Sequence, residues 1–470
     1  MTLLASLFKS VDFLMGPLFF IILLMAMSVI VRKYKDDRQK ELFLKAFYFK
    51  MFCTLAYTSV ISFYYGGSGD TEMYYYATMD MHKAVVDNSD NFFKIFTTKA
   101  ITIKNPLMNY FIFDNSPYPT FEFMHSPGNF FVPKLGLPFA LVFAKSYLCM
   151  ALAFSFFALG GMLRLYKFFV HYFPAYSREI ALATLFLPSL CFWSAGFLKD
   201  GICLGSVGYL VYGVFSIAIK RKKIITSVIW LAISIILLFY IKVYILLALS
   251  PAIVLWLFSE FNKVVENKTL RRIMGMITFG AGAGFAFFLI NYVTSDESVQ
   301  AFKLDTLVDT SNRNRALYEG FAEKYEGAYY SIGSSNPVLI VLNGIIATLF
   351  RPFLWDISSP IVLLSALEAL FFTYFTFFLI FKRGLINFFR KAFGNPIFTM
   401  CIVFTLVFAA AVGSTATNFG SLSRYKIPCL PFFLIVLLII YRQEGFRYPN
   451  WINRLLGYNV VHRHFRKTAV

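Results

Sequence analysis

Charge is what this sequence is short of. Only 15% of its 470 residues are Asp, Glu, Lys or Arg, where a soluble domain carries about a quarter. With 58% hydrophobic residues and a mean hydropathy of +0.65, that shortage excludes an ordinary water-soluble globule. Cysteine is sparse as well. Cys53, Cys149, Cys191, Cys203, Cys401 and Cys429 lie in or beside apolar runs with no paired spacing, which argues against a disulfide framework and a zinc site. The five histidines include no H-E-x-x-H pair, and no metal site is assigned. Alternating strand patterns are missing too. The apolar runs are continuous, which excludes a membrane β-barrel.

What is present is a series of apolar stretches of about 17–25 residues, each long enough to cross a hydrocarbon layer as a helix. They predict an all-α polytopic membrane protein with about eleven spans, near residues 11–31, 43–65, 136–162, 179–197, 201–219, 224–241, 243–258, 273–293, 359–381, 396–413 and 427–441. The first has no small-residue cleavage site after it and reads as a retained helix. Val338–Phe350 is short for a span and suits a re-entrant or interfacial segment. Residues 1–470 then form one transmembrane domain, with a first outer loop at 66–134, a second at 294–337 and a basic cytoplasmic tail at 442–470. Amphipathic stretches such as Met73–Val86 fit short helices along the interface.

Basic residues outnumber acidic ones, 44 to 25, for a net charge of +19. Placing the N-terminus outside and the C-terminus in the cytoplasm gathers most of the 44 Lys and Arg in the inner segments, as cytoplasmic loops require. The positive charge is thereby topological, and no nucleic acid is needed to explain it.

Four polar features fall on the outer face. Gly66-Gly67-Ser68-Gly69-Asp70-Thr71-Glu72 follows a span directly, and its glycines permit a sharp turn that holds Asp70 above the bilayer. That carboxylate can take a proton from a hydroxyl nucleophile, or it can cap a helix beginning at Thr71. In Trp193–Gly201, Lys199 can bind a phosphate with Asp200 setting its position, or the two can neutralise each other in an interfacial hairpin. Arg351, close to lipid, is a functional candidate by cost alone, the alternative being snorkelling with Trp355 as anchor. Arg424 and Lys426, just before the last span, can clamp a phosphate or anchor at the interface. Tyr74, Tyr75 and Tyr76 can stack on a sugar ring or sit as ordinary interface residues. Arg313, Arg315, Glu319 and Glu323 fit a solvated, ion-paired helix, and Lys242 marks a tight outer turn. Asp70, Glu72, Asp80 and Asp114 leave a divalent cation open, with no spacing that identifies a site.

Together these features resemble the GT-C class of membrane glycosyltransferases: an acidic residue after an early span (Asp70), a long first outer loop, and a late Arg-Tyr-x-x-Pro before a span (Arg424, Tyr425, Pro428). The class usually places the acidic residue after the first span, whereas here it follows the second; an added N-terminal helix reconciles the two. The resemblance implies a GT-C-like bundle in a bacterial plasma membrane, with an outward-facing site used in cell-envelope polysaccharide synthesis. It implies a polyprenyl-phosphate-linked sugar donor, a glycan, lipid or protein acceptor, and inversion with Asp70 as base. Lys199, Arg351, Arg424, Lys426 and Tyr74 would bind phosphate and sugar. Two rivals stand beside it. An O-antigen-polymerase-like or ligase-like enzyme would depend on the arginines and be indifferent to Asp70. A transporter or flippase would need polar groups at mid-membrane depth, for which Lys50, Lys145, Glu368 and Gly280–Gly284 are the hints.

Overall fold

A computed structural model describes residues 7–66, 69–112, 119–264, 336–357, 359–416 and 418–449, with isolated positions between 269 and 316 and at 452–453. The expected span at 273–293, nearly all of the second outer loop with its Arg315, Glu319 and Glu323, and most of the basic tail lie outside these residues.

The described residues are helical throughout, without a strand. Among the described residues seven helices are long and apolar enough to cross a membrane, and an eighth span arises if the bent pair Phe419–Tyr425 and Leu430–Gln443 is counted as one. In chain order the main elements are α1 (Ser10–Arg32), α2 (Asp37–Ser59), α3 (Asp70–Asp87), α4 (Pro127–Val142), α5 (Tyr147–Tyr172), α6 (Lys199–Phe215), α7 (Ile224–Val264), α8 (Pro337–Phe350), α9 (Pro360–Arg383), α10 (Pro396–Thr415), α11 (Phe419–Tyr425) and α12 (Leu430–Gln443). α1 buries Gly16, Phe19, Leu23 and Met27 at helical spacing, and leaves Phe13, Leu14, Leu18, Ile21, Met25 and Val29 exposed. A helix apolar on every side with one packed face is what lipid as solvent allows. α12 is the opposite case, with Leu430–Tyr441 buried in full.

Small residues set the closest contact. A Cβ on Gly161 of α5 would fall 2.1 Å from the Gly205 carbonyl oxygen of α6, and one on Gly208 would fall 2.1 Å from that of Gly161. These two backbones touch directly, as helices do in membranes where no hydrophobic force pulls them together. The same device joins α8 to α10, where a Cβ on Gly413 would collide with Gly344 O. At about 1.5 Å per residue, α8 reaches roughly 21 Å, short of a full crossing.

α7 is 41 residues long, about twice what a bilayer requires. Its single non-helical residue, Lys242 (φ −150°, ψ 75°), explains the excess. On one side of it Leu231 lies against Gly213 and Trp230 stacks on Tyr209 at 4.4 Å; on the other, Trp256 sits 6.5 Å from Phe215. Both halves therefore run beside α6, and the chain folds back at Lys242, as the separate runs 224–241 and 243–258 lead one to expect.

Two expected boundaries are corrected. The run 136–162 is interrupted: α4 ends at Val142, a turn with Ala144 and Lys145 at positive φ intervenes, and the span is Tyr147–Tyr172. The run 179–197 is a short helix, a π-turn over Leu182–Phe186 and a second short helix opened by Pro188. Proline removes a donor and breaks the ladder there. The Met73–Val86 stretch is helical, but as part of α3 its residues from Tyr74 to Met81 are buried rather than spread along an interface.

Candidate functional site

Four segments far apart in sequence meet at one end of the bundle. α3 starts at Asp70, straight after Gly69, whose φ of 122° suits glycine alone. α6 starts at Lys199 and Asp200; the fold-back of α7 contributes Lys242; and α11 ends with Arg424 and Tyr425 just before the chain bends by 72° into α12.

Arg424 is the centre. Its Nη2 donates to Asp70 Oδ2 at 2.8 Å and to Asp200 Oδ2 at 3.1 Å, and its Nε reaches the same Asp200 oxygen at 3.2 Å. Lys242 Nζ donates to the other Asp200 oxygen at 2.6 Å and lies 4.2 Å from the centre of the Tyr425 ring. Asp200 is 2% exposed, Arg424 18% and Asp70 36%. Asp200 is thus a buried anion clamped by two cations, and burial of such a charge is tolerable only when it is paired on all sides. Asp70 is the member that meets water.

Lys199 points elsewhere. Its Nζ donates to Asn129 Oδ1 at 2.5 Å and stands 6.0 Å from the Tyr74 ring, while the Tyr74 hydroxyl donates to the same Asn129 oxygen at 3.2 Å. Burial, and then the nearby Asp70 carboxylate, push the Tyr74 phenol well above its ordinary value, so it remains a donor at neutral pH. Across the cluster, two carboxylates face three cations, an imbalance that favours an added anion.

Arg351 lies next door and is paired within its own turn. Its guanidinium grips Asp356 through two bonds, Nε to Oδ2 at 3.1 Å and Nη2 to Oδ1 at 2.9 Å, and rests 5.0 Å from the Phe419 ring at the start of α11. Its carbonyl accepts from Lys426 Nζ at 3.1 Å. Lys426 is 1% exposed and serves as the link between the Arg351 turn and the Arg424 segment.

Several sequence readings change here. Asp70 does not act as a cap before Thr71, since the helix begins at Asp70 itself and its carboxylate goes to Arg424. Lys199 and Asp200 neither neutralise nor position each other: they bond to different partners. Tyr74 is buried against the site and is no interface anchor. Lys242 does mark the turn, and it is also an ion-pair partner. Lys242 and Asn129 were not among the candidates, although a lone lysine between two apolar runs is itself a signal. Among the described residues, no three His, Cys, Asp or Glu side chains gather as metal ligands; Asp80 accepts from Thr120 at 2.6 Å, and Asp114 lies outside the described residues.

The mid-bundle charges have local work. Lys50 donates to Cys191 O at 2.9 Å and Ser194 Oγ at 2.5 Å, and Glu368 accepts from Ser189 Oγ at 2.7 Å. Both serve the broken segment 177–193, whose interrupted ladder leaves polar groups needing partners. No family model, curated protein or solved structure matches the chain.

Proposed function

We propose that this chain is a membrane glycosyltransferase of the GT-C kind, taking a sugar from a polyprenyl-phosphate donor at the outer face of a bacterial plasma membrane. The observation that carries the reading is the single guanidinium of Arg424 held between Asp70 and Asp200, with Lys199 one residue before Asp200 at the head of α6. A donor phosphate can meet a guanidinium through two parallel hydrogen bonds, where Asp70 offers it one oxygen. When it takes Arg424, the Asp70 carboxylate is released to the acceptor hydroxyl, so donor binding itself readies the base.

The displacement then balances. Asp70 takes the acceptor proton, the acceptor oxygen bonds to the anomeric carbon, and the bond from that carbon to the phosphate oxygen breaks with its electron pair. Arg424 and Lys199 meet the charge growing on the leaving phosphate. Lys426 and Arg351 hold the segment that carries Arg424, and Tyr74 with Asn129 orients Lys199. With Asp70 the carboxylate of the cluster that reaches water and Asp200 tied to two cations, direct displacement inverts the anomeric centre. About eleven crossings fit this reading: the eight helical spans, the second half of α7, the broken segment 177–193 and the run 273–293. The basic opposite end then faces the cytoplasm.

The excess of cations favours a second reading, an O-antigen-polymerase-like or ligase-like enzyme in which Arg424, Lys199 and Lys242 bind a pyrophosphate and Asp70 only holds Arg424 in place. Proteoliposomes supplied with radiolabelled polyprenyl-phosphate sugars and with lipid-linked oligosaccharides separate the two. For the transferase, Asp70→Asn lowers single-sugar transfer about 100-fold or more with folded yield unchanged. Glycan joining that survives Asp70→Asn and is lost in Arg424→Ala selects the second reading. Transfer that is indifferent to both substitutions ends the proposal.

A further inference from the structure

Cations gather a second time, at the end of the bundle away from Arg424. α6 starts beside that residue and ends at Phe215, and residues 216–223 then turn the chain into α7. Arg164 and Lys167 on α5 meet Lys220 and Lys223 of this turn. Lys167 lies close enough to Arg164, Lys223 and Lys220 to feel the charge of each. Among the described residues, no carboxylate pairs with any of these cations. The acids of neighbouring segments are engaged elsewhere: Asp37 with Lys40, Glu41 with Lys45, Glu260 with Lys263, and Asp36 with the Arg38 backbone N–H.

Aromatic rings stand where counter-ions would. The Arg164 guanidinium is 4.1 Å from the Tyr209 ring and 5.4 Å from Trp230. Lys167 is 4.7 Å from Tyr34 and 5.5 Å from Phe43, and Lys220 is 5.2 Å from Phe215. A ring face steadies a cation without consuming its N–H groups. Burial, and then the neighbouring Tyr212, push the Tyr34 phenol up from its ordinary value, so it stays protonated and adds no negative charge. The turn is also strained. Arg221 and Lys223 hold φ of 50° and 52°, the left-handed region that side chains avoid. Ser216 Oγ, donating to Lys222 O at 2.7 Å, and Thr226 Oγ1, donating to Lys223 O at 3.0 Å, pin it there. Strained non-glycine residues held by their surroundings point to a function at the position they present.

Depth identifies the missing anion. α5 has 26 residues, about 39 Å of helix against a hydrocarbon core of about 30 Å. Arg164 and Lys167 lie roughly 12 and 8 Å before its end at Tyr172, within snorkelling reach of the headgroup layer. Apolar surface adjoins them. Trp230 of α7 stacks on Tyr209 beneath Arg164, and between Lys223 and Trp230 the same helix exposes Ile225, Val228 and Ile229. We propose that this cluster binds the phosphate of an anionic phospholipid, with the acyl chains beside the first turns of α7. Ring-seated cations next to a lipid-facing helix supply both halves of such recognition, charge for the headgroup and apolar surface for the tails. This inference does not rest on the transferase reading, because its readout is lipid retention and not sugar transfer.

The test uses the full chain, purified in mild detergent and equilibrated with micelles doped with phosphatidylglycerol or phosphatidylcholine. Bound lipid phosphorus is measured per protein after gel filtration. The expected result is retention of phosphatidylglycerol over phosphatidylcholine, lowered about tenfold or more by Arg164→Gln with Lys167→Gln, at about fivefold per cation. Lys220→Gln with Lys223→Gln, which leaves α5 untouched, should also lower it several-fold with elution unshifted. Lys382→Gln with Arg390→Gln removes the same charge from exposed positions outside the cluster and should leave retention within about twofold. Equal retention of both lipids, or unchanged retention in both cluster variants, overturns the proposal. An equal loss in the Lys382 and Arg390 variant also overturns it, since general attraction would then suffice. Displacement of the lipid by millimolar inorganic phosphate would overturn the lipid as the source, because the tails would contribute nothing.

Discussion

Two arginines occupy opposite ends of the bundle and are handled in opposite ways. Arg164, on α5, lies over the Tyr209 ring at 4.1 Å and near Trp230 at 5.4 Å, and its Nη1 donates to Gly160 O one turn back. Lys167 rests likewise on Tyr34, 4.7 Å away, and Lys220 on Phe215, 5.2 Å away. Arg424 instead bonds to two carboxylates, 354 and 224 residues distant in sequence. Aromatic faces support a cation while leaving its hydrogen-bonding capacity to headgroups and water. Paired carboxylates spend that capacity inside the protein. The first arrangement fits anchoring. The second holds a cation under tension between partners, from which a better anion can take it.

This contrast yields predictions of decreasing size. Removing Asp200 should be the most damaging change, because it strands Arg424 and Lys242 together. Asp200→Ala is expected to cost about 3 kcal/mol or more, read as a lower thermal unfolding midpoint in detergent; a midpoint within a degree or two of wild type would mean the clamp is dispensable. Next is the coupling inside the clamp. A double-mutant cycle of Asp200→Asn with Lys242→Gln should give an interaction of about 1–3 kcal/mol, whereas additive effects would show the two to be independent. Smaller in stability but visible in kinetics, Lys199→Ala should lower kcat more than it raises the donor KM. A change confined to KM would mean that the amine holds the phosphate equally in the ground and transition states. Smallest is the far end. Arg164→Gln should remove about 0.5–1 kcal/mol of ring contact and leave transfer intact; a transfer defect there would dissolve the distinction between the two ends.

How much of this was legible beforehand follows from the range of each interaction. Helix positions came from runs of apolar residues, a local signal, and most long helices appear near where those runs lie. The interruption at 143–146 was missed because apolar residues resume directly on both sides of Lys145 and Ser146, and that at 187–188 because Leu187 and Pro188 are as apolar as the run around them. Asp70 stood out by its glycine-rich turn and Arg424 by the basic pair it forms with Lys426 before the last span, and the structure brings the two within 2.8 Å. Asp200 was read with its sequence neighbour Lys199, but successive residues on a helix point apart, and the partners that matter come from α7 and α11. Arg351 looked equivalent to Arg424 in sequence. Only the fold reveals that Asp356, five residues on, already occupies its guanidinium.

The glycine contact between α5 and α6 bears on how firmly each side of the Arg424 cluster is held. Where two main chains meet with nothing between them, neither can shift along the other without atoms overlapping, so the wall carrying Asp200 and Lys199 is stationary. Across from it, Arg424 rides on a seven-residue helix that meets α12 at 72° through Lys426–Cys429. The two walls are thus held by different means: α6 by main-chain contact, and the α11 arm by side chains, Lys426 on the Arg351 carbonyl and Arg424 on its two carboxylates.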